Sequence, residues 1–295
     1  MPNQGGMIFC GEGGVGKSLF ITEATIRLAM GWEILGLPVL TSHKIKIFQQ
    51  ENSMSQVQFR IRKMIQGFQI TALPDRIFFS DPKAQYNLKQ KASVDRLKKE
   101  IVACGADVFI LDPLSSFHAI NENDNILMRN VLDTVTHISR ETGAAAIIID
   151  HFGKPSQDRK DVTHRLRGAS SKRDWADTLL SITHRKHESK ILRQIDFIKV
   201  RNGPMRKSVL LERNEYFIHE MVEEDTVVTV TQVQEVLEAV FGGRVEKQAD
   251  FIQAICHECD CSYRTAQRAL YRAIDMNAIT EFAGYGKSKG YSSVS

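Results

Sequence analysis

Eight residues near the start of the chain constrain its fold more than any other feature. Residues 11–18 read Gly-Glu-Gly-Gly-Val-Gly-Lys-Ser, between the apolar run Met7–Cys10 and a stretch of helical spacing, Lys17–Leu28. Each residue type in such a loop has a physical reason. Glycines let the backbone wrap with its amide hydrogens turned inward, toward an anion. The lysine and hydroxyl that follow supply a cation and a ligating oxygen, and the positive end of the next helix points at the same place. The segment therefore reads as a P-loop for ATP, with Gly11, Gly13, Gly14, Val15, Gly16, Lys17, Ser18 and Leu19 around the phosphates. Lys17 reaches the β- and γ-phosphates, and Ser18 ligates Mg2+. Strand, loop and helix in that order require an α/β core.

Later segments fit such a core. Lys44–Gln49 reads as a strand and Ser55–Gln66 as a helix. Asp107–Leu111 and Ala144–Ile149 are continuous apolar runs, as central strands buried on both faces require, and Ile126–Thr142 is a helix between them. Leu179–His184, Ile195–Val200 and Ser208–Leu211 alternate like later strands, including an antiparallel edge. The chain has 295 residues, 42% hydrophobic and 25% charged, with a formal net charge of +4. That is room for one α/β core and a small second domain, and a charge that permits a polyanionic partner without demanding one. No apolar run approaches a membrane span and the start lacks a signal peptide's pattern, so a cytoplasmic protein without an N-terminal accessory domain is expected. The five cysteines read as reduced thiols. Cys256, Cys259 and Cys261 are closely spaced, but with only His257 nearby they make a poor zinc set.

Asp112 closes the apolar run 108–111, a carboxylate suited to holding Mg2+ beside the P-loop. Glu51 ends the segment Phe-Gln-Gln-Glu, read as the end of the second strand. Downstream come Asp112-Pro-Leu-Ser-Ser-Phe117, Asn121-Glu-Asn-Asp-Asn125 and Ile149-Asp-His151-Phe-Gly-Lys154. Arg167-Gly-Ala-Ser-Ser171 and Lys199-Val-Arg201-Asn-Gly-Pro204 complete the series. Over residues 5–215 this order resembles RecA-like ATPases, and among them the RepA-type hexameric helicases of plasmids. Its last piece is also similar to the replicative helicase DnaB.

The resemblance implies roles. Glu51 would be the general base that polarises the attacking water. His151 would contact the γ-phosphate and report its loss to a DNA-binding loop beside it; many RepA-like chains carry two histidines here, where this one has Asp150-His151. Lys199 and Arg201, two apart on one strand and so on one face, would reach the γ-phosphate of a neighbouring subunit in a homo-oligomeric, hexameric ring. Single-stranded DNA would meet the loops Ser115–Asn125 and Gly153–Arg167. The second carries Lys154, Arg159, Lys160, Arg165 and Arg167, and suits sequence-blind phosphate binding.

Residues 221–231 are acidic and then β-branched, without helical period, and read as a linker between a RecA-like P-loop NTPase domain (1–220) and a second domain (232–295). The tail reads as three helices and a hairpin, Ile279–Phe282 with Tyr291–Val294. In its last helix, Ser262–Asn277, Arg264, Arg268 and Arg272 form a basic stripe opposite Ala266, Leu270 and Ile274. This looks like a winged-helix (helix-turn-helix) domain that contacts duplex DNA or docks a replication initiator or other protein. The combined expectation is an ATP-driven DNA helicase or translocase. The rival is a RecA-like DNA-dependent ATPase that switches recombination or regulation without unwinding.

Overall fold

The computed structural model describes residues 4–81, 83–122, 124–152, 169–187, 190–222, 228–286 and 288–294. They form two compact units, Met1–Val222 and Glu223–Ser295. The first unit runs β1 (Gly6–Gly11), α1 (Lys17–Met30), β2 (Ile45–Gln49), α2 (Met54–Phe68), β3 (Ile77–Phe79), α3 (Lys91–Cys104) and β4 (Val108–Asp112). After a short 3-10 turn, Leu114–Phe117, follow α4 (Asn125–Thr142), β5 (Ala145–His151), α5 (Ala169–Trp175), β6 (Thr178–His187), β7 (Lys190–Val200), β8 (Val209–Arg213) and β9 (His219–Val222).

The nine strands make one sheet in the order β3-β2-β4-β5-β1-β6-β7-β8-β9. From β3 to β6 neighbouring strands pair in parallel, and β7, β8 and β9 return antiparallel. Central strands alternate between two cores. Ile8, Cys10, Phe109, Leu111 and Ile148 face one, with Leu97 of α3 and Leu132 of α4. Phe9, Ile110, Ile147 and Ile149 face the other, with Phe20 and Ile26 of α1 and Met64 of α2. Burial on both faces is why these runs lack polar alternation. Local signals set the helix starts: Ser53 and Gln56 form a capping box on α2, and Asp124 accepts from the first free amides of α4.

Four strands and helices of this unit were not expected: β3, α3, α5 and β9. The three residues of β3 are too few to show a period, and the apolar positions of α3 (Val94, Leu97 and Ile101) are scattered among charges. The join between the units is also narrower than 221–231, because β9 runs to Val222 and the next helix starts at Val230. No helix among the described residues is long and apolar enough to cross a membrane.

The second unit contains α6 (Val230–Phe241), β10 (Arg244–Val245), α7 (Gln248–Glu258), α8 (Tyr263–Asp275), β11 (Ile279–Ala283) and β12 (Lys289–Ser293). Its small antiparallel sheet has the order β10-β12-β11. Leu237, Phe251, Ile255, Leu270 and Tyr291 form its core, and Cys256, Cys259 and Cys261 pack half-buried at the edge as free thiols.

Candidate nucleotide site

The parallel strands bring their carboxyl ends to one edge, and the P-loop, Glu51, Asp112 and His151 meet there. β1 delivers the chain to Gly11, whose register neighbours are His151 at the end of β5 and Ile182 on β6. Gly16 has φ +107°, a backbone region that L side chains rarely adopt, and α1 starts at the next residue. A Cβ placed at Gly13 or Gly14 meets nothing within 4 Å, so both positions border open space.

Lys17 is buried, and its ammonium donates to the carbonyls of Gly11 (2.9 Å) and Glu12 (2.8 Å). It also lies 3.1 Å from Nδ1 of His151. An ammonium only donates, so Nδ1 accepts and the ring proton sits on Nε2. That Nε2 is 3.8 Å from Oε2 of Glu51. Burial, helped by Lys17, holds His151 below the ordinary histidine range and keeps it neutral at pH 7. Burial also lowers Lys17, while the carboxylates of Asp112 and Glu51 oppose that fall. One correction applies to Glu51: β2 ends at Gln49, so Glu51 lies two residues beyond it, on the connection to α2, with its side chain 52% exposed. The anchor is Gln50, whose amide bridges Tyr86 and the carbonyl of Ser116.

Asp112 is the last residue of β4 and is buried. Its carboxylate accepts a hydrogen bond from the Ser18 hydroxyl at 3.2 Å. Burial, with Glu51 adding to it, pushes its carboxyl up to about 6, although Ser18, Lys17 and Arg60 pull the other way. A hydroxyl beside an under-compensated buried carboxylate fits a hard divalent cation, so Ser18 and Asp112 are the residues that would hold Mg2+.

Lys199 and Arg201 lie elsewhere. β7 ends at Val200, so Arg201 is just past the strand, and a bulge shifts the β6–β7 register between Leu179 and Leu180. Both cations still converge on the end of α5. Lys199 donates to the carbonyls of Arg173 (2.6 Å) and Asp174 (3.3 Å). Arg201 donates to the carbonyl of Asp174 (3.1 Å) and to the carboxylate of Asp177 (2.9 Å). Val200 pairs with Thr178 and Thr178 with Met7, so this cluster sits at the opposite end of β1 from the P-loop. Four residues of strand put roughly 13 Å between the two ends.

Motif reading missed two arginines near the site. Arg60 of α2 lines a small recess with Ser18, Thr22, Asn52 and Asp112. The guanidinium of Arg213, at the end of β8, comes within 3.7 Å of where a Cβ on Gly16 would sit. Neither belongs to a local pattern; chain-distant packing brings them in. Of the expected DNA contacts, Lys154, Arg159, Lys160, Arg165 and Arg167 lie outside the described residues. On α8, Arg264, Arg268 and Arg272 are exposed while Ala266, Ala269, Leu270 and Ala273 face the core.

A family model described as an AAA domain matches residues 1–157 of the 295. No curated protein sequence matches the chain. Among solved structures, a KaiC-like protein from the hyperthermophilic archaeon Pyrococcus horikoshii superposes with a TM-score of 0.54. The match covers 75% of this chain and 91% of that one at 14% identity, a likeness of fold.

Proposed function

The chain belongs to the AAA-domain family and has the fold of a RecA-like P-loop ATPase; from that premise we propose that it is an ATP-driven, ring-forming DNA helicase or translocase of the RepA type, acting in DNA replication. One observation carries the ring. The P-loop, Glu51, His151 and Asp112 share one end of the sheet, whereas Lys199 and Arg201 sit at the other. A finger at that distance cannot serve its own P-loop, so it acts on a neighbour's.

Each side chain then has a task. The loop amides and Lys17 hold the phosphates, and Arg213, beside Gly16, adds a cation on the loop's outer side. Ser18 and Asp112 would hold Mg2+, which would supply positive charge to the transferring phosphoryl group. Glu51 takes the proton of the attacking water as the bond from the γ-phosphorus to the bridging oxygen breaks, giving ADP and phosphate. His151, neutral and hydrogen-bonded to Lys17, senses whether the γ-phosphate competes for that lysine. Arg201 of the adjacent subunit stabilises charge in the transition state. Single-stranded DNA runs past 115–125 and 153–167. The second unit, a winged helix, presents Arg264, Arg268 and Arg272 to duplex DNA or docks an initiator protein.

The test mixes two inactive variants. Lys17→Ala removes the phosphate cation in cis, and Arg201→Ala removes the finger in trans, with an expected loss of order 10³ or more for each. Mixed rings juxtapose an intact P-loop and an intact finger, so ATPase activity partly returns. No recovery, with native mass measurements showing mixed assemblies, overturns the ring reading. Stimulation of ATPase by single-stranded DNA without strand displacement from a forked duplex would instead favour a DNA-dependent switch.

A further inference from the structure

Asp150 and His151 are consecutive on β5, so their side chains leave it on opposite faces. His151 turns to Lys17 and Glu51. Asp150, 1% exposed, turns to the other core, where Lys172 of α5, 0% exposed, donates to its Oδ2 at 2.6 Å. The same ammonium lies 3.8 Å from Oε2 of Glu122 in the loop after β4. A lysine wholly out of water is rare unless paired, because its charge has no other solvation. Next to it, the Ser171 hydroxyl donates to the carbonyl of Asn125 at 2.9 Å.

The other end of α5 carries the contacts already described for Lys199 and Arg201. Between the two ends the helix has little freedom. A Cβ on Gly6 would come within 2.6 Å of the Trp175 ring, which shows how closely that ring lies on β1. Trp175 Nε1 donates to Thr136 of α4 at 2.8 Å. A continuous chain of contacts therefore runs from the tip of β5 through Asp150, Lys172 and α5 to Asp174 and Arg201.

We propose that Asp150 and Lys172 are a positioning pair that makes the seven-residue helix α5 a rigid link between a subunit's own nucleotide site and the Arg201 finger it offers to the next. When His151 exchanges Lys17 for a γ-phosphate, the end of β5 shifts, and a buried ion pair has no water into which to relax. The shift passes to α5, whose carbonyls hold the finger. The state of one site thus sets the readiness of the next. The final step of this link rests on Arg201 acting in trans.

Hydrogen exchange on the full chain, with and without Mg2+ and a non-hydrolysable ATP analogue, tests the link. In the wild type, the analogue slows exchange in peptides covering 11–19 and in those covering 169–176, the latter by about three-fold or more. In Asp150→Asn/Lys172→Met, which leaves no uncompensated charge from the pair, the 11–19 response persists and the 169–176 response is lost. Lys172→Met alone loses the same response and melts lower; the double variant recovers melting but not the response, which separates positioning from stability. An unchanged 169–176 response in the double variant overturns the proposal. So does a wild type in which 11–19 responds and 169–176 does not. If the exchange result holds but mixing Lys17→Ala with Arg201→Ala restores nothing, the trans finger is the part that fails, and the pair still links β5 to α5.

Discussion

Asp112 and Asp150 lie at the carboxyl ends of neighbouring parallel strands, at the same edge of the sheet, and both are buried, but different groups answer their charges. Asp150 has a lysine from its own chain at 2.6 Å. Asp112 has the Ser18 hydroxyl at 3.2 Å, and its carboxyl is pushed up to about 6. One carboxylate is finished by the fold; the other lacks such a partner, which suits the Mg2+ proposed for it. The nucleotide face of the sheet edge is thus electrostatically incomplete by construction, while the opposite face is complete. Catalytic metal sites tend to be built this way, at a cost in stability carried by the rest of the fold.

That contrast can be broken or sharpened by substitution. Glu51→Gln, on the incomplete face, should slow ATP turnover by ~10²–10⁴, roughly 3–5 kcal/mol of barrier, with unfolding unchanged because the side chain is half in solvent. Steady-state ATPase beside urea unfolding checks both halves. A rate within a few-fold of wild type would move the general base elsewhere.

Lys172→Met, on the complete face, should do the reverse and cost about 3–5 kcal/mol of stability, because Asp150 is left charged and unpaired. Calorimetry or urea unfolding reads it, and a loss below about 1 kcal/mol would mean that water reaches the pair.

Asp112→Asn should stabilise the protein measured without nucleotide, opposite in sign to Lys172→Met. A carboxyl whose folded value lies above its unfolded one contributes fully below about pH 4 and loses that contribution as pH rises through about 6. An amide has no charge to lose, so the gain should be about 2–3 kcal/mol at pH 8 and vanish near pH 4. The same variant should lose most of the thermal protection given by Mg2+ and ATP.

The smallest effect belongs to His151. Its folded value lies below the ordinary one, so its contribution is present above about pH 6.5 and fades as pH falls. His151→Gln should flatten the stability profile between pH 5 and 7 by less than about 1 kcal/mol, because the ring is partly exposed. An unchanged slope in urea titrations across that range would remove the histidine as the titrating group.

The nucleotide face was legible in the sequence because its chemistry is local. Gly11–Ser18 and Asp112 announce themselves by residue type within a few positions of a strand end. The opposite face was not. Asp150 stood out only as a departure from a two-histidine pattern, and Lys172, between Ser171 and Arg173, carries no motif of its own. A lysine's burial is decided by what packs over it, here the end of β5 and the segment carrying Glu122, which no window of neighbouring residues contains. The same limit hid Arg60 and Arg213. It also hid the shift in register between β6 and β7, which an alternating pattern cannot reveal. The short β3 and polar α3 failed for a different reason, too few apolar positions to establish a period.

The Asp150–Lys172 pair also bears on how such a protein can change over generations. Two residues 22 positions apart share one buried contact, and losing either alone strands a charge in the core. A lineage can abandon the pair only by a double step, or through a neutral substitution that lets the other follow. When close relatives of this chain are aligned, the two columns should change together or not at all, inherited as a single unit that the linear order of the gene conceals.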